Sequence, residues 1–223
     1  MVAGTLRVER EAKSLRELTL DRMRRAILDQ HFKPGDRLVE RELCEQLAVS
    51  RSVVREVLRH LEAEGIVETV PNRGPIVAIL TRSQARQIYE VRGYLEALAA
   101  RACAESLDAS AVADTLDAKL HRIADGYANK DAALILEATA EFYQCMFLAS
   151  GREIAWDIVS ALHMRITHLR SITIATPGRA TDGPEEMRRI VAAIRARDGE
   201  AAFSASLLHV TRAQGLALQE IDA

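Results

Sequence analysis

Apolar residues recur at steps of three and four along most of the chain, the period of a helix with one buried face. Residues 14–30 (SLRELTLDRMRRAILDQ) set Leu15, Leu18, Met23, Ala26 and Ile27 near one side, with Ser14 as N-cap. Pro34 and Gly35 break this pattern. A second helix is predicted over 40–47, with Leu43 and Leu47 one turn apart. After the tight connection Ala48-Val49, Ser50 caps a third helix reaching about Glu64, which would bury Val54, Val57, Leu58 and Leu61 and stop at Gly65. The period then changes. Residues 66–70 and 76–79 are rich in β-branched side chains and flank the turn formers Pro71-Asn72-Arg73-Gly74-Pro75, which predicts a β-hairpin. A short helix, a tight turn, a longer helix and a hairpin make a winged helix-turn-helix.

Beyond residue 80 the helical period returns and persists. Residues 83–104 carry Ile88, Val91, Leu95, Leu98 and Ala102 as one apolar row, and 109–128 carry Val112, Leu116, Leu120, Ile123 and Tyr127. Further helices are predicted over 131–149, 152–174 (Ile154, Ile158, Leu162, Ile166, Leu169), 185–197 and 199–221, with a loop at 176–184 ending in Gly183-Pro184. None of these rows lasts long enough for a coiled coil. The expected fold is mainly α in two domains: a winged helix-turn-helix over 1–80 and an all-helical bundle of about six helices over 81–223.

The third helix also carries Arg51, Arg55 and Arg59 at steps of four, opposite its apolar side, with Ser50 and Ser52 in the first turn. An arginine row by itself is commonly a solvated helix face. Placed on the second helix of a helix-turn-helix, it meets the major groove, where a guanidinium can hold two guanine acceptors or a phosphate.

Charge changes this picture little. The first 80 residues hold 14 basic and 13 acidic side chains and the rest hold 16 and 19, so a DNA-directed field must be local to one helix face. Aromatics at 4% and abundant Ala and Leu favour helices. Cys44, Cys103 and Cys145 are widely spaced and imply neither a disulfide framework nor a thiolate zinc site. The chain start lacks an apolar leader, and no run approaches the 18 apolar residues of a membrane span; the expected location is the cytoplasm. G-x-S-x-G, H-E-x-x-H and a Gly-rich phosphate loop are missing, and Cys145 reads as core, so no enzyme is expected.

The stretch PGDRLVERELCEQLAVSRSVVREVLRHLEAEGIVETVPNRGPIVA resembles the winged helix of the GntR family of bacterial regulators. IYEVRGYLEALAARACAE, EFYQCMFLASGR and EEMRRIVAAIRARDGEAA resemble the FadR-type branch, whose helical FCD domain binds effectors. The resemblance implies a ligand-responsive regulator, a homodimer on palindromic double-stranded operator DNA, acting as a repressor released by a small organic acid. It assigns DNA contacts to Arg41, Ser50, Arg51, Ser52 and Arg55, and to Arg73 and Gly74 at the wing tip.

Most sensors of this branch resemble metal proteins with an Asp and three His. Here the positions of that pattern fall on Thr139, Tyr143 and Met187, and only His209 remains. Hydroxyl and thioether groups do not replace a carboxylate and two imidazoles, so no metal cofactor is expected; the alternative is a rearranged site joining His209 with His163, His168 or Glu141. An anionic effector would then need Arg92 or Arg165, with Thr139, Tyr143, Met187 and His209 around it. Arg92 could instead serve only an i,i+4 ion pair with Glu96. A fatty acyl thioester is the alternative effector for a metal-free member.

Overall fold

The computed structural model describes residues 13–29 and 31–221. The chain divides into two units, Met1–Ile79 and Leu80–Ala223. The first holds α1 (Leu15–Leu28), α2 (Glu40–Leu47), α3 (Arg51–Ala63), β1 (Val67–Val70) and β2 (Gly74–Val77). Ser14 and Glu17 close a capping box at the start of α1. That helix packs on α3 through Leu20, Met23 and Ile27. Leu15 and Leu18, read from the sequence as part of this face, are exposed. Leu18 falls opposite Ile27 on the helix, and Leu15 lies in the first turn.

Helix α2 ends on Ala48 with φ 53°, a left-handed residue that tightens the turn into α3. The Ser50 side chain then caps α3 by accepting from the Val53 N–H, and Val54, Val57, Leu58 and Leu61 are buried. The wing is an antiparallel hairpin pairing Val67 with Val77 and Val70 with Gly74. Its second strand starts at Gly74, two residues earlier than the sequence predicts. Pro75 has no N–H to give, but its carbonyl accepts from the Leu38 N–H at 2.9 Å. Gly35 donates to the Val77 carbonyl and Val77 to that of Asp36, so residues 35–38 run beside β2 and use its outer edge.

The second unit holds α4 (Arg82–Glu105), α5 (Ala109–Ala128), α6 (Ala132–Ala149), α7 (Glu153–Ala161), α8 (His163–Thr173), α9 (Arg179–Arg195) and α10 (Gly199–Ile221). The predicted helix over 152–174 is two helices, broken at Leu162. Its apolar row does not share one face: Ile154 and Ile158 are exposed, whereas Ile166 and Leu169 are buried. Helix α9 begins six residues earlier than expected. Gly178, at φ 83°, turns the chain into it, and Arg179 bonds to Glu186 across two turns. Pro184 therefore sits inside the helix, buried, rather than ending a loop before it.

Helix α4 packs along α10, α5 lies against α6 and α9, and α9 against α10. Gly126 lets α5 and α6 meet, since a Cβ there would lie 2.8 Å from Ile135 Cγ1 and 3.1 Å from its backbone nitrogen. The buried face of α4 is offset from the predicted row. Val91, Tyr94 and Leu98 are exposed, while Tyr89, Arg92, Glu96, Ala99, Ala100 and Cys103 are inside. By length and composition α6 could cross a membrane, nearer to that limit than the sequence reading allowed. In the fold it supplies Phe142, Met146 and Phe147 to the core of the second unit.

Candidate DNA-reading helix and effector cavity

On α3, Arg51, Ser52, Arg55 and Arg59 are all exposed, on the side away from the buried valines and leucines. The Ser50 and Ser52 hydroxyls lie 2.8 Å apart across the first turn. Arg51 and Arg59 have no carboxylate within ion-pair distance among the described residues. Arg55 differs: its Nε reaches both oxygens of Glu40 at 3.0 and 2.9 Å, tying α3 to the start of α2. The sequence reading did not identify this partner. Arg41 is exposed on α2. At the wing, Asn72 (φ 63°) and Gly74 (φ 82°) take left-handed conformations, which push the exposed Arg73 out at the turn. Its Nη2 donates to the Gly35 carbonyl at 3.1 Å. The seven residues named from the sequence thus lie on α2, α3 and the wing turn of one small unit.

The second unit holds a partly open cavity of about 40 Å³ whose lining includes Arg92, Thr139, Arg170, Arg179, Met187 and His209. Four of the six residues expected there are in its wall. Tyr143 is not in the lining but sits beside it, its ring 5.6 Å from the Arg92 guanidinium and 4.9 Å from that of Arg170. Arg165 is part-buried on α8 and does not line the cavity. In its stead stand Arg170 and Arg179, which sequence reasoning missed. Arg170 follows the buried run from Ile166 to Leu169, and that placement was a usable signal. Arg179 fell in a segment read as loop.

Arg92 makes the ion pair considered for it and also lines the cavity. Its Nε and Nη2 bond to the two oxygens of Glu96 at 2.9 and 3.2 Å, the i,i+4 pair. Its Nη1 is buried without a hydrogen-bond partner, as are the hydroxyls of Tyr89 and Tyr143. Glu186 forms the second carboxylate centre: one oxygen accepts from Arg179 at 2.8 Å and lies 2.9 Å from His209 Nδ1, and the other accepts from Arg212 at 3.0 Å. Burial pushes the Glu186 carboxyl up, but the bonds from His209, Arg212 and Arg179 outweigh it and hold it at about 2. Burial, followed by the Arg179 and Arg92 charges, depresses the His209 imidazole against the opposing pull of Glu186. A neutral His209 donates its Nδ1 proton to Glu186.

This wall does not suit a divalent cation. It offers the hydroxyls of Tyr127, Thr139 and Thr173, a thioether and one imidazole already bonded to Glu186, and three guanidinia supply positive charge. Among the described residues no group of three or more His, Cys, Asp or Glu side chains comes together as a metal site.

Comparison with known proteins accords with both units. The family described as "Bacterial regulatory proteins, gntR family" matches residues 15–77, and the FCD domain matches 87–212. The Nta operon transcriptional regulator of Aminobacter aminovorans is 43% identical over 74 residues, about a third of each chain (33% of this one, 35% of the relative). The HTH-type transcriptional repressor RspR of Escherichia coli is 27% identical over 192 residues, covering 84% of this chain and 82% of the relative. The structure of E. coli McbR/YncC has the same fold, with a TM-score of 0.76 at 21% identity over 93% of this chain and 99% of that one. A DNA-reading module followed by an FCD domain that spans more than half of the sequence places this chain in the GntR family of bacterial transcription regulators, in its FadR-type branch.

Proposed function

We propose that the protein is a metal-free, ligand-responsive repressor, working in the cytoplasm as a homodimer on a near-palindromic operator and released when a small organic acid enters the helical domain. The observation that carries the DNA half is the exposed, carboxylate-free Arg51 at the start of a capped helix, where a base edge or phosphate can reach it. Arg41, Ser50, Ser52, Arg55, Arg73 and Gly74 extend the same contact surface. The cavity walled by three guanidinia supports an acidic effector, and the repressor reading draws on the likeness to RspR.

The exposed row Val91, Tyr94 and Leu98 on α4 supports self-association, because an apolar stripe at helical spacing is costly to leave in water. An effector changes DNA affinity only if it binds the two conformational states unequally. Gel shifts on the chain's own promoter test the proposal. Wild type should bind and be released by the acid, and Arg51→Ala should bind weakly. Retained binding by Arg51→Ala and Arg55→Ala together would show that α3 is not the reading helix. Sedimentation of Tyr94→Asp tests the dimer, which should shift toward monomer.

A further inference from the structure

The cavity wall is short of negative charge. Three guanidinia, of Arg92, Arg170 and Arg179, face two carboxylates, of Glu96 and Glu186, while His209 is held neutral by burial. Arg212 also bonds Glu186, but it is half in solvent, where water screens its charge. Arg92 takes both Glu96 oxygens, and Arg179 takes a Glu186 oxygen. Arg170 is left over. Its side chain is only 11% exposed, and its nearest carboxylate is Glu96 at 4.0 Å, beyond hydrogen-bond length. It rests on the face of Tyr143 instead. Burial first, then the Arg92 charge, pull the Arg170 guanidinium down to about 10, far below the ordinary range for arginine. A buried cation with no hydrogen-bonded counter-ion is costly, and an anion of matching charge relieves it. Arg92 Nη1, buried and unpartnered, is a second donor in the same wall.

Size restricts the anion further. A single water needs roughly 10–15 Å³ of such space, and pockets for drug-sized ligands run to about 300–1,000 Å³. The cavity of about 40 Å³ therefore takes only a few non-hydrogen atoms. Its lining also includes the apolar side chains of Ile123, Ile135 and Met187.

We propose that Arg170, helped by Arg92 Nη1, is the anion anchor of this cavity and that the ligand is a two- or three-carbon monocarboxylate, its short apolar end against Ile123, Ile135 and Met187. The inference rests on the effector-pocket reading above and narrows it. One negative charge balances the surplus guanidinium, whereas a second would itself lie buried and unpaired. A long acyl chain exceeds the volume of the cavity itself.

Thermal unfolding of the full chain tests this with sodium acetate, propionate and lactate, and with disodium succinate and sodium octanoate, all at an ionic strength fixed with sodium chloride. The short monocarboxylates should raise the melting temperature saturably in wild type and in Arg165→Gln. In Arg170→Met that response should vanish, while the unliganded variant melts no lower than wild type because a stranded cation is gone. Arg170→Lys, which keeps the charge but loses the fork, should bind at least about tenfold more weakly and serves if the Met variant does not fold. Tighter binding of succinate or octanoate, or an unchanged response in the Arg170 variants, overturns the proposal. Should no short acid act while another acid still releases operator DNA, the ligand class fails and the pocket reading stands. If no acid of any kind stabilises the protein or releases DNA, both fall.

Discussion

Arg51 and Arg59 stand in solvent on α3, whereas Arg92, Arg170 and Arg179 are enclosed among two carboxylates in the helical bundle. The same side chain serves opposite ends. An exposed guanidinium gives up little hydration when it meets a polyanion and contributes little to folding. A buried one must be matched within the fold, because an uncompensated charge away from water is costly. The winged unit keeps its charges available and its stability elsewhere, in Val54, Val57, Leu58 and Leu61. The bundle makes charge part of its core.

That contrast can be broken most sharply at Glu96. Glu96→Ala strands Arg92 beside Arg170 and should cost about 3–5 kcal/mol in urea unfolding, because a charge at 2% exposure loses its partner. An effect under 1 kcal/mol would mean that water or another anion already satisfies the site. Gly126→Ala tests packing without charge: its Cβ meets the Ile135 backbone, so the bundle should lose about 1–3 kcal/mol. On the exposed side, Arg51→Ala should leave the urea midpoint alone and weaken operator binding by about 1–3 kcal/mol.

Acid sharpens the comparison through His209 and His168, both depressed by burial, and through Glu186. For the histidines the unfolded chain takes up protons first, so stability is present above about pH 6.5 and lost as pH falls below it. Glu186, held at about 2, adds a loss between about pH 4.5 and pH 2. Melting temperature should therefore drop on acidification from pH 7.5 to 5.5, and His209→Gln should shallow that slope. The smallest effect belongs to the solvated pair: Glu40→Ala should change stability by less than about 1 kcal/mol, and any change in DNA binding would come from releasing Arg55.

Much of the winged unit was legible along the chain. Ser50, the buried row of α3 and the turn at 71–74 depend on interactions a few residues apart, and such short-range chemistry is written in local order. The misjudged positions depended on neighbours far away in sequence. Leu18 has the right chemistry for α1's buried face but the wrong angle to α3. Pro184 stops an isolated helix, yet here it lies inside one that packs on α5 and α10 and is tied by Arg179 to Glu186.

The residues by themselves determined an arginine row opposite the buried side of α3 and the helical period of the second unit, since both follow from residue type and spacing. Only the folded bundle decided which guanidinia share a cavity. Arg170 and Arg179 reach the same wall as Arg92 from different helices, and whether a charge is matched depends on distances that residue order does not contain.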